Sequence, residues 1–261
     1  MTQDAVFRRD GALFVPGPYA AGPWAADRLH GGPVFGLLTR AVEEAAADPG
    51  LVGARLTFDL FRAVPLEPLT VNAEVLRQSS RLCLVQAALR AGGEEYARVT
   101  ALFLRADQSA APAVSEGKPQ GPEGLATETL MRSVTPGAIR PGFHTRVETR
   151  WVPRADHEPL TIWFRLPLAL VEGETPTPLQ RTAALADFAN AIAGIANRAR
   201  GGPYINVDAT VYLSRLPRGE WIGLKEVHSA FQGGMSVAQT RLFDAEGPCG
   251  DAQQCRLALS R

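Results

Sequence analysis

Three polar residues in the C-terminal half of the chain could do chemistry together: Asp187, Asn206 and Gln254. A carboxylate can accept a proton or orient a water molecule, and each amide offers an NH₂ donor together with a carbonyl acceptor. The three side chains could therefore hold a water molecule or a polarised carbonyl oxygen, whereas neither amide can serve as a nucleophile. Gln254 is the most informative of them, because a long amide inside a predicted strand needs hydrogen-bond partners if that strand is buried.

Each of these residues also has an ordinary structural explanation. Periodicity places Asp187 on the solvated face of a predicted helix, within its first turns, where the helix dipole stabilises a carboxylate by up to about 1 kcal/mol. Asn206 could start a strand or cap a turn. Gln254 could lie exposed on an edge strand. The residue types alone leave these alternatives open.

One long helix is predicted in each half of the chain. Both predictions rest on apolar residues that recur at helical spacing in a single stripe, namely Val34, Leu37, Leu38, Ala41, Val42 and Ala45 in the first half and Leu185, Phe188, Ala189, Ile192, Ile195 and Ala196 in the second. The sequence His30-Gly31-Gly32-Pro33 leads into the first helix, with proline near the first turn. Two arginines and a Gly-Gly-Pro segment at residues 201–203 end the second.

Four apolar or alternating segments around each predicted helix indicate strands. They cover residues 56–62, 69–77, 82–90 and 96–104 in the first half, and residues 205–215, 221–229, 236–243 and 253–259 in the second. Residues 106–124 interrupt both periodicities with prolines and glycines, which predicts a linker. A sheet wrapped on a single long helix, occurring twice, is the predicted α+β architecture.

The two halves also share a sequence pattern that indicates a duplication. Residues 57–62 read TFDLFR and residues 210–215 read TVYLSR, so a threonine, a leucine and an arginine recur at an offset of 153. At this offset the three polar residues Asp187, Asn206 and Gln254 correspond to Val34, Gly53 and Ala101. The C-terminal copy is therefore predicted to keep a polar site that the N-terminal copy has lost.

Composition excludes several classes of function. The 261 residues carry no formal net charge, which gives no electrostatic basis for binding nucleic acid or an anionic membrane surface. No apolar run approaches the ~18 to 20 residues of a membrane span, and the first ten residues do not form an export signal. The three cysteines include no CxxC pair, which favours a reducing cytoplasm.

The search for catalytic motifs is mostly negative. The four histidines and three cysteines show no metal-ligand spacing, so neither a metal nor a cofactor is predicted. Residues 17–22 have the glycine spacing of a phosphate-binding loop, but Pro23-Trp24 occupies the positions that need lysine and serine or threonine. Ser236 lies in a sequence that faintly resembles a nucleophile elbow, yet it opens a predicted strand instead of joining a strand to a helix.

From about residue 23 to residue 261 the chain resembles the acyl-CoA thioesterase II type of double-hotdog protein. The resemblance rests on the His30-Gly31-Gly32 helix start, the second half that begins after a Pro/Gly linker, Asp187, the segment NVDATV that leads to Arg215, Gly219-Glu220-Trp221, and Gln254 in the closing strand. It implies two tandem hotdog repeats, residues 1–105 and 126–261, joined by a linker at 106–125. The repeats would form one continuous antiparallel sheet around two long central helices.

The resemblance also implies a site and a reaction. In that family an Asp, a Thr or Ser and a Gln hold the hydrolytic water, and these positions match Asp187, Asn206 and Gln254 here. Asn206 departs from the family pattern, because an amide replaces the hydroxyl. The implied reaction is hydrolysis of an acyl-CoA thioester by direct water attack, in which Asp187 orients the water more than it abstracts a proton.

Substrate binding is expected at the start of the first helix. Backbone N–H groups near Gly31 and Gly32, next to His30, could contact the oxyanion or a phosphate, since glycine allows close approach. The glycine pair could equally serve only to let the helix pass close to the sheet.

Two other functions stay open. A non-catalytic acyl-thioester binder or scaffold is compatible with the departure at Asn206, since fold does not imply function. A hotdog enoyl-thioester hydratase or dehydratase would need a catalytic histidine with a carboxylate, and His30 is the only histidine at a predicted helix start. We expect an acyl-CoA substrate, no nucleic acid or membrane partner, a possible homo-oligomer and a role in cytoplasmic fatty acid metabolism.

Overall fold

A single β-sheet connects the two halves of the protein in the computed structural model, which describes residues 4–106, 117, 120–130, 140–155, 158–197 and 203–259. The strands from the first half are β1 (Ala5–Asp10), β2 (Leu13–Pro16), β3 (Leu51–Leu60), β4 (Leu69–Gln78), β5 (Leu82–Ala91) and β6 (Glu94–Arg105). Those from the second half are β7 (Thr127–Glu128), β8 (Glu148–Trp151), β9 (Thr161–Arg165), β10 (Ala169–Val171), β11 (Tyr204–Asn206), β12 (Asp208–Leu213), β13 (Trp221–Gln232), β14 (Met235–Asp244) and β15 (Gly247–Ala258). Their order in the sheet is β10-β1-β2-β4-β5-β6-β3-β12-β15-β14-β13-β9-β8-β7, and β11 also pairs with β15.

The halves meet where β3 pairs antiparallel with β12. Thr57 lies directly opposite Thr210, and their hydroxyl oxygens are 3.4 Å apart. These two threonines are also the residues that the sequence repeat aligns at an offset of 153. Outward from this junction the strand order β3, β6, β5, β4 on one side corresponds to β12, β15, β14, β13 on the other.

The antiparallel prediction fails at one pair of strands. β1 runs parallel to β10, with Ala5 opposite Ala169 and Phe7 opposite Val171. A short strand from the second half thus covers the edge of β1, an edge that would otherwise expose unpaired backbone groups. The division of the chain at residues 105 and 126 stays a prediction, and of the predicted linker only residues 106, 117 and 120–125 are described.

The helices are α1 (Gly31–Ala46), α2 (Phe143–Arg146), α3 (Pro178–Ala186) and α4 (Ala189–Ala196). α1 forms where the first apolar stripe predicts it. The second predicted helix is divided in the structure, and its first part starts before the stripe, at Pro178. The start signal is a capping box, in which the Thr177 hydroxyl accepts from the Gln180 N–H and the Gln180 side chain accepts from the Thr177 N–H.

The break between α3 and α4 falls at residues 187–188. The Phe188 and Asn190 amides donate to carbonyls three residues back, those of Leu185 and Asp187, where a regular α-helix would use the fourth. Asp187 therefore lies at the end of α3 and just before α4, and the prediction that it belongs to the first turns of one long helix is wrong.

The core lies between the helices and the sheet. Phe35 of α1 stacks on Phe58 of β3, with ring centroids 4.1 Å apart and both side chains fully buried. α1 also packs against α3, which brings the start of α1 close to the α3–α4 break. None of the described helices is long and apolar enough to cross a membrane.

Candidate active site

A cavity of about 650 Å³ opens at the start of α1, beside the α3–α4 break and β11. Its wall is mainly apolar and includes Leu29, Val34, Phe188 and Ile195. His30, Gly31, Asp187 and Asn206 supply polar groups to the same wall. Such a lining, apolar with a few convergent polar groups, is typical of a small-molecule site.

Asp187 contacts two other polar residues of this cavity wall. Its side chain is only 7% exposed, so the alternative that it is an ordinary solvated residue is wrong. Oδ1 accepts a hydrogen bond from Nδ2 of Asn206 at 2.9 Å, and Oδ2 lies 2.9 Å from Nδ1 of His30. The carboxylate is therefore held from both sides, by β11 and by the residue that caps α1.

His30 stands at the N-cap of α1 and has two competing partners at one atom. Nδ1 lies 3.1 Å from the backbone nitrogen of Gly32 as well as 2.9 Å from the carboxylate of Asp187. A ring nitrogen that carries a proton donates, and one without a proton accepts. With a proton on Nδ1, His30 donates to Asp187, and in the neutral form of that ring Nε2 is an acceptor. Without a proton on Nδ1, this nitrogen accepts from the Gly32 N–H.

The two glycines after His30 are required by close approaches. A Cβ atom on Gly31 would lie 2.5 Å from Oδ1 of Asp187, and one on Gly32 would lie 2.5 Å from a ring carbon of Phe143 and 2.7 Å from the carbonyl oxygen of Ala184. The pair thus lets α1 approach α3 and the Asp187 carboxylate. The sequence interpretation expected the sheet, and not α3, as the close neighbour of these glycines. Gly31 lines the cavity, whereas Gly32 is buried and is not part of the lining. Substrate binding by these residues stays a prediction.

Gln254 does not line the cavity, although it contacts the backbone next to Asp187. It belongs to β15, which is paired on both sides, and it is 1% exposed, so the edge-strand alternative is wrong. Nε2 lies 3.4 Å from the carbonyl oxygen of Ala186 and 3.5 Å from that of Asp187. The structure therefore joins Gln254 to the backbone of the α3–α4 break, and it joins Asn206 to the carboxylate itself.

Asn206 is positioned by an irregularity in its strand. The predicted strand over residues 205–215 is divided into β11 and β12 around Val207, whose N–H donates to the carbonyl of Cys255 at 3.1 Å. Asn206 pairs with Arg256 of β15 and is half-buried. The short strand thus ends with the Asn206 amide beside Asp187.

The two halves match two family models in succession. Residues 20–104 match the acyl-CoA thioesterase N-terminal domain, and residues 107–255 match the acyl-CoA thioesterase C-terminal domain. The chain belongs to the acyl-CoA thioesterase family. A comparison with curated protein sequences finds no match.

Solved structures show that this thioesterase family member has a hotdog fold. One is a protein from Thermobifida fusca provisionally assigned as a thioesterase II, with a TM-score of 0.72, 18% identity, and coverage of 100% of this chain and 98% of that chain. A second is the acyl-CoA thioesterase II TesB2 from Mycobacterium marinum, with a TM-score of 0.66, 16% identity, and coverage of 88% and 90%. A third is a conserved protein of unknown function with a hotdog fold from Alicyclobacillus acidocaldarius, with a TM-score of 0.69, 16% identity, and coverage of 99% and 97%.

The sequence did not point to the aromatic surroundings of His30 in this thioesterase family member. The rings of Phe188, Phe143 and His144 lie 5.0, 5.2 and 6.0 Å from the His30 ring, centroid to centroid. The pKa of His144 is lowered to about 4, mainly by burial and to a smaller extent by the neighbouring His30, although a backbone contact with Arg140 opposes the shift. His144 is therefore neutral at neutral pH. Neither α2 nor this histidine carries a motif in the sequence.

Proposed function

We propose that the protein hydrolyses acyl-CoA thioesters to the free acid and CoA by direct attack of water. The observation that carries this proposal is the buried Asp187 carboxylate, held between His30 and Asn206 on the wall of a mainly apolar cavity. Hydrolysis needs a positioned water, a group that takes its proton and donors for the developing oxyanion. The cavity wall offers candidates for each part.

The carboxylate of Asp187 would orient the attacking water and is the candidate base that takes its proton, which the departing CoA thiolate would then receive. Asn206 and His30 fix its two oxygens, so the water would approach from the cavity side. The N–H of Gly31 is one of the first amides of α1, which have no acceptor within their own helix, and it is our candidate oxyanion donor. Gln254 would keep the backbone at the α3–α4 break in place, which is a positioning role.

The finer architecture that we propose is a double hotdog. It is supported by the corresponding order of strands on the two sides of the β3–β12 junction and by the facing Thr57 and Thr210. The N-terminal copy would carry the degenerate site. In agreement with this, the space beside Gly53, the counterpart of Asn206, is filled by the side chain of Leu179. Cytoplasmic fatty acid metabolism and a homo-oligomer remain predictions.

One observation favours a second candidate, an enoyl-thioester hydratase or dehydratase. That chemistry needs a histidine with a carboxylate, and His30 and Asp187 are such a pair. The same assay decides between the two. Purified protein is incubated with a panel of saturated and 2-enoyl-CoAs, and the released thiol and the double-bond absorbance are followed separately. Hydrolysis releases thiol from saturated substrates; hydration changes only the absorbance of the enoyl substrates; a pure binder does neither.

Asp187→Asn is the diagnostic variant of this assay, and Asp27→Asn is its matched control, since the Asp27 side chain is 72% exposed. We expect thiol release from saturated acyl-CoAs by the wild type and by the control, and almost none by Asp187→Asn. Thiol release that survives Asp187→Asn undiminished would contradict the assigned site.

A further inference from the structure

A buried arginine, Arg256, lines the same cavity as Asp187. It lies on β15 and is 3% exposed. Its Nε donates to Oδ1 of Asn190 at 2.7 Å and its Nη1 to the hydroxyl of Ser236 at 3.3 Å. The guanidinium also lies 4.9 Å from the ring centroid of Tyr204 and 6.0 Å from that of Phe231. These partners fix the orientation of the guanidinium, and none of them carries a negative charge.

The positive charge of Arg256 has no ion-pair partner in the part of the chain that the structure describes. No described carboxylate oxygen lies within 4.0 Å of its nitrogens. Glu226 acts on it from farther away, and one oxygen of that carboxylate already accepts from Asn197 and Ser229. Burial lowers the pKa of Arg256, because an enclosed charge is poorly solvated. A buried, unpaired charge is strongly unfavourable unless an anion reaches it.

The position of Arg256 relative to the proposed site follows from two parallel contacts. Asp187 and Asn190 lie one helical turn apart, and Asn206 and Arg256 face each other across the β11–β15 pair. Asp187 contacts Asn206, and Asn190 contacts Arg256. Neighbours at either spacing are ~5 Å apart at Cβ. Asn190, which holds the guanidinium, therefore lies about one helical turn from Asp187, whose carboxylate would orient the water.

We infer that Arg256 binds a carboxylate carried by the acyl group, so that the preferred substrates are half-thioesters of dicarboxylic acids. The inference rests on the proposed thioester hydrolysis and names its substrate class. A thioester carbonyl beside Asp187 leaves room for only a few methylene groups before the guanidinium. The phosphates of CoA lie at the far end of its pantetheine arm, too far from the thioester to be the anion at this position. At the repeat offset of 153, Arg256 corresponds to the apolar Phe103, so the N-terminal copy has no counterpart of this charge.

The first test measures binding without catalysis. Two non-hydrolysable thioethers, carboxybutyl-CoA and pentyl-CoA, share the CoA part and the number of acyl carbons, and only the first has a terminal carboxylate. We expect the wild type to bind carboxybutyl-CoA at least ~10-fold more tightly, since hydrogen bonds to a charged group contribute about that much. Equal or weaker binding of carboxybutyl-CoA would overturn the inference.

The second test uses the ratio of kcat/KM for glutaryl-CoA to kcat/KM for pentanoyl-CoA. A loss of activity that affects both substrates equally cancels in this ratio. Arg256→Met should lower this ratio ~10-fold or more. Arg256→Lys, which keeps a positive charge, should lower it less. Arg218→Met, at an exposed arginine, should leave the ratio unchanged. A ratio that Arg256→Met leaves unchanged would show that the guanidinium serves only packing. If Arg256→Met does not fold, the wild-type binding comparison still decides.

The two proposals fail in different ways. If the wild type prefers carboxybutyl-CoA but releases no thiol from any acyl-CoA, the carboxylate site stands and the proposed hydrolysis fails. If the wild type hydrolyses glutaryl-CoA and pentanoyl-CoA equally well and binds both thioethers equally, the proposed hydrolysis stands and the proposed role of Arg256 fails.

Discussion

Nδ1 of His30 lies 2.9 Å from Oδ2 of Asp187, although one residue caps the first helix and the other follows the third. The contact passes directly over Gly31, whose missing side chain leaves room for the carboxylate. It fixes one oxygen of Asp187, and Asn206 fixes the other.

Asp187→Asn should lower kcat by orders of magnitude and leave the affinity for acyl-CoA nearly unchanged. The lost group acts mainly in the transition state, and the amide has almost the same volume. Steady-state kinetics give kcat, and equilibrium binding of a thioether analogue gives the affinity. An Asp187→Asn protein that binds the analogue poorly would instead assign the carboxylate to substrate binding.

Substitutions of His30 separate orientation from proton transfer. In His30→Asn the side-chain NH₂ can replace Nδ1 as the donor to Asp187, and asparagine remains a good N-cap. If His30 only orients the carboxylate, His30→Asn should keep most of kcat while His30→Ala loses ~10-fold or more. An equal loss in both variants, together with a changed pH–rate profile, would show that Nε2 exchanges a proton with the substrate.

Asn206→Thr tests whether the site is tuned to its amide. The Nδ2–Oδ1 hydrogen bond of 2.9 Å reaches across from β11 to Asp187, and a threonine hydroxyl on the same backbone is shorter. An active thioesterase should therefore lose or redirect activity on this substitution. A gain in activity would identify the wild type as a degenerate binder in which the hydroxyl restores function.

Gln254→Ala should act through the α3–α4 break and not through direct contact with the substrate. It leaves the carbonyls of Ala186 and Asp187 without their side-chain donor inside the core, which should lower the free energy of unfolding by about 1–3 kcal/mol and reduce kcat as well. Gln253→Ala is the matched control, because the neighbouring glutamine on the same strand is exposed. A loss of kcat at unchanged stability, of the ~10² to 10³ typical of a missing oxyanion donor, would give Gln254 direct contact with the carbonyl.

The sequence predicts this site only in part. The alternating pattern predicts most strands and the helical stripe predicts α1. Both patterns can be read from the sequence because they follow from which residues are buried. The break at Asp187 is not predicted, since the apolar stripe runs through it without interruption. The contacts of Gln254 with the carbonyls of Ala186 and Asp187 at this break are tertiary, so no local pattern indicates them. Arg256 and His144 carry no motif, and only the folded sheet and α2 bring them to the cavity.

The stability of the protein should fall as the pH drops from about 6.5 towards 4, in part because of His144. Its pKa is lowered to about 4 in the folded protein, whereas an unfolded histidine keeps a pKa near 6.5. Between these values the unfolded chain binds a proton that the folded chain does not, so the free energy of unfolding rises with pH there, by up to about 1 kcal/mol per pH unit from this residue. Urea denaturation of the wild type and of His144→Phe, measured from pH 4.5 to pH 7.5, isolates the contribution. The stability of the wild type relative to His144→Phe should fall as the pH falls, and a difference that stays constant over this range would contradict the assignment of the shift to His144.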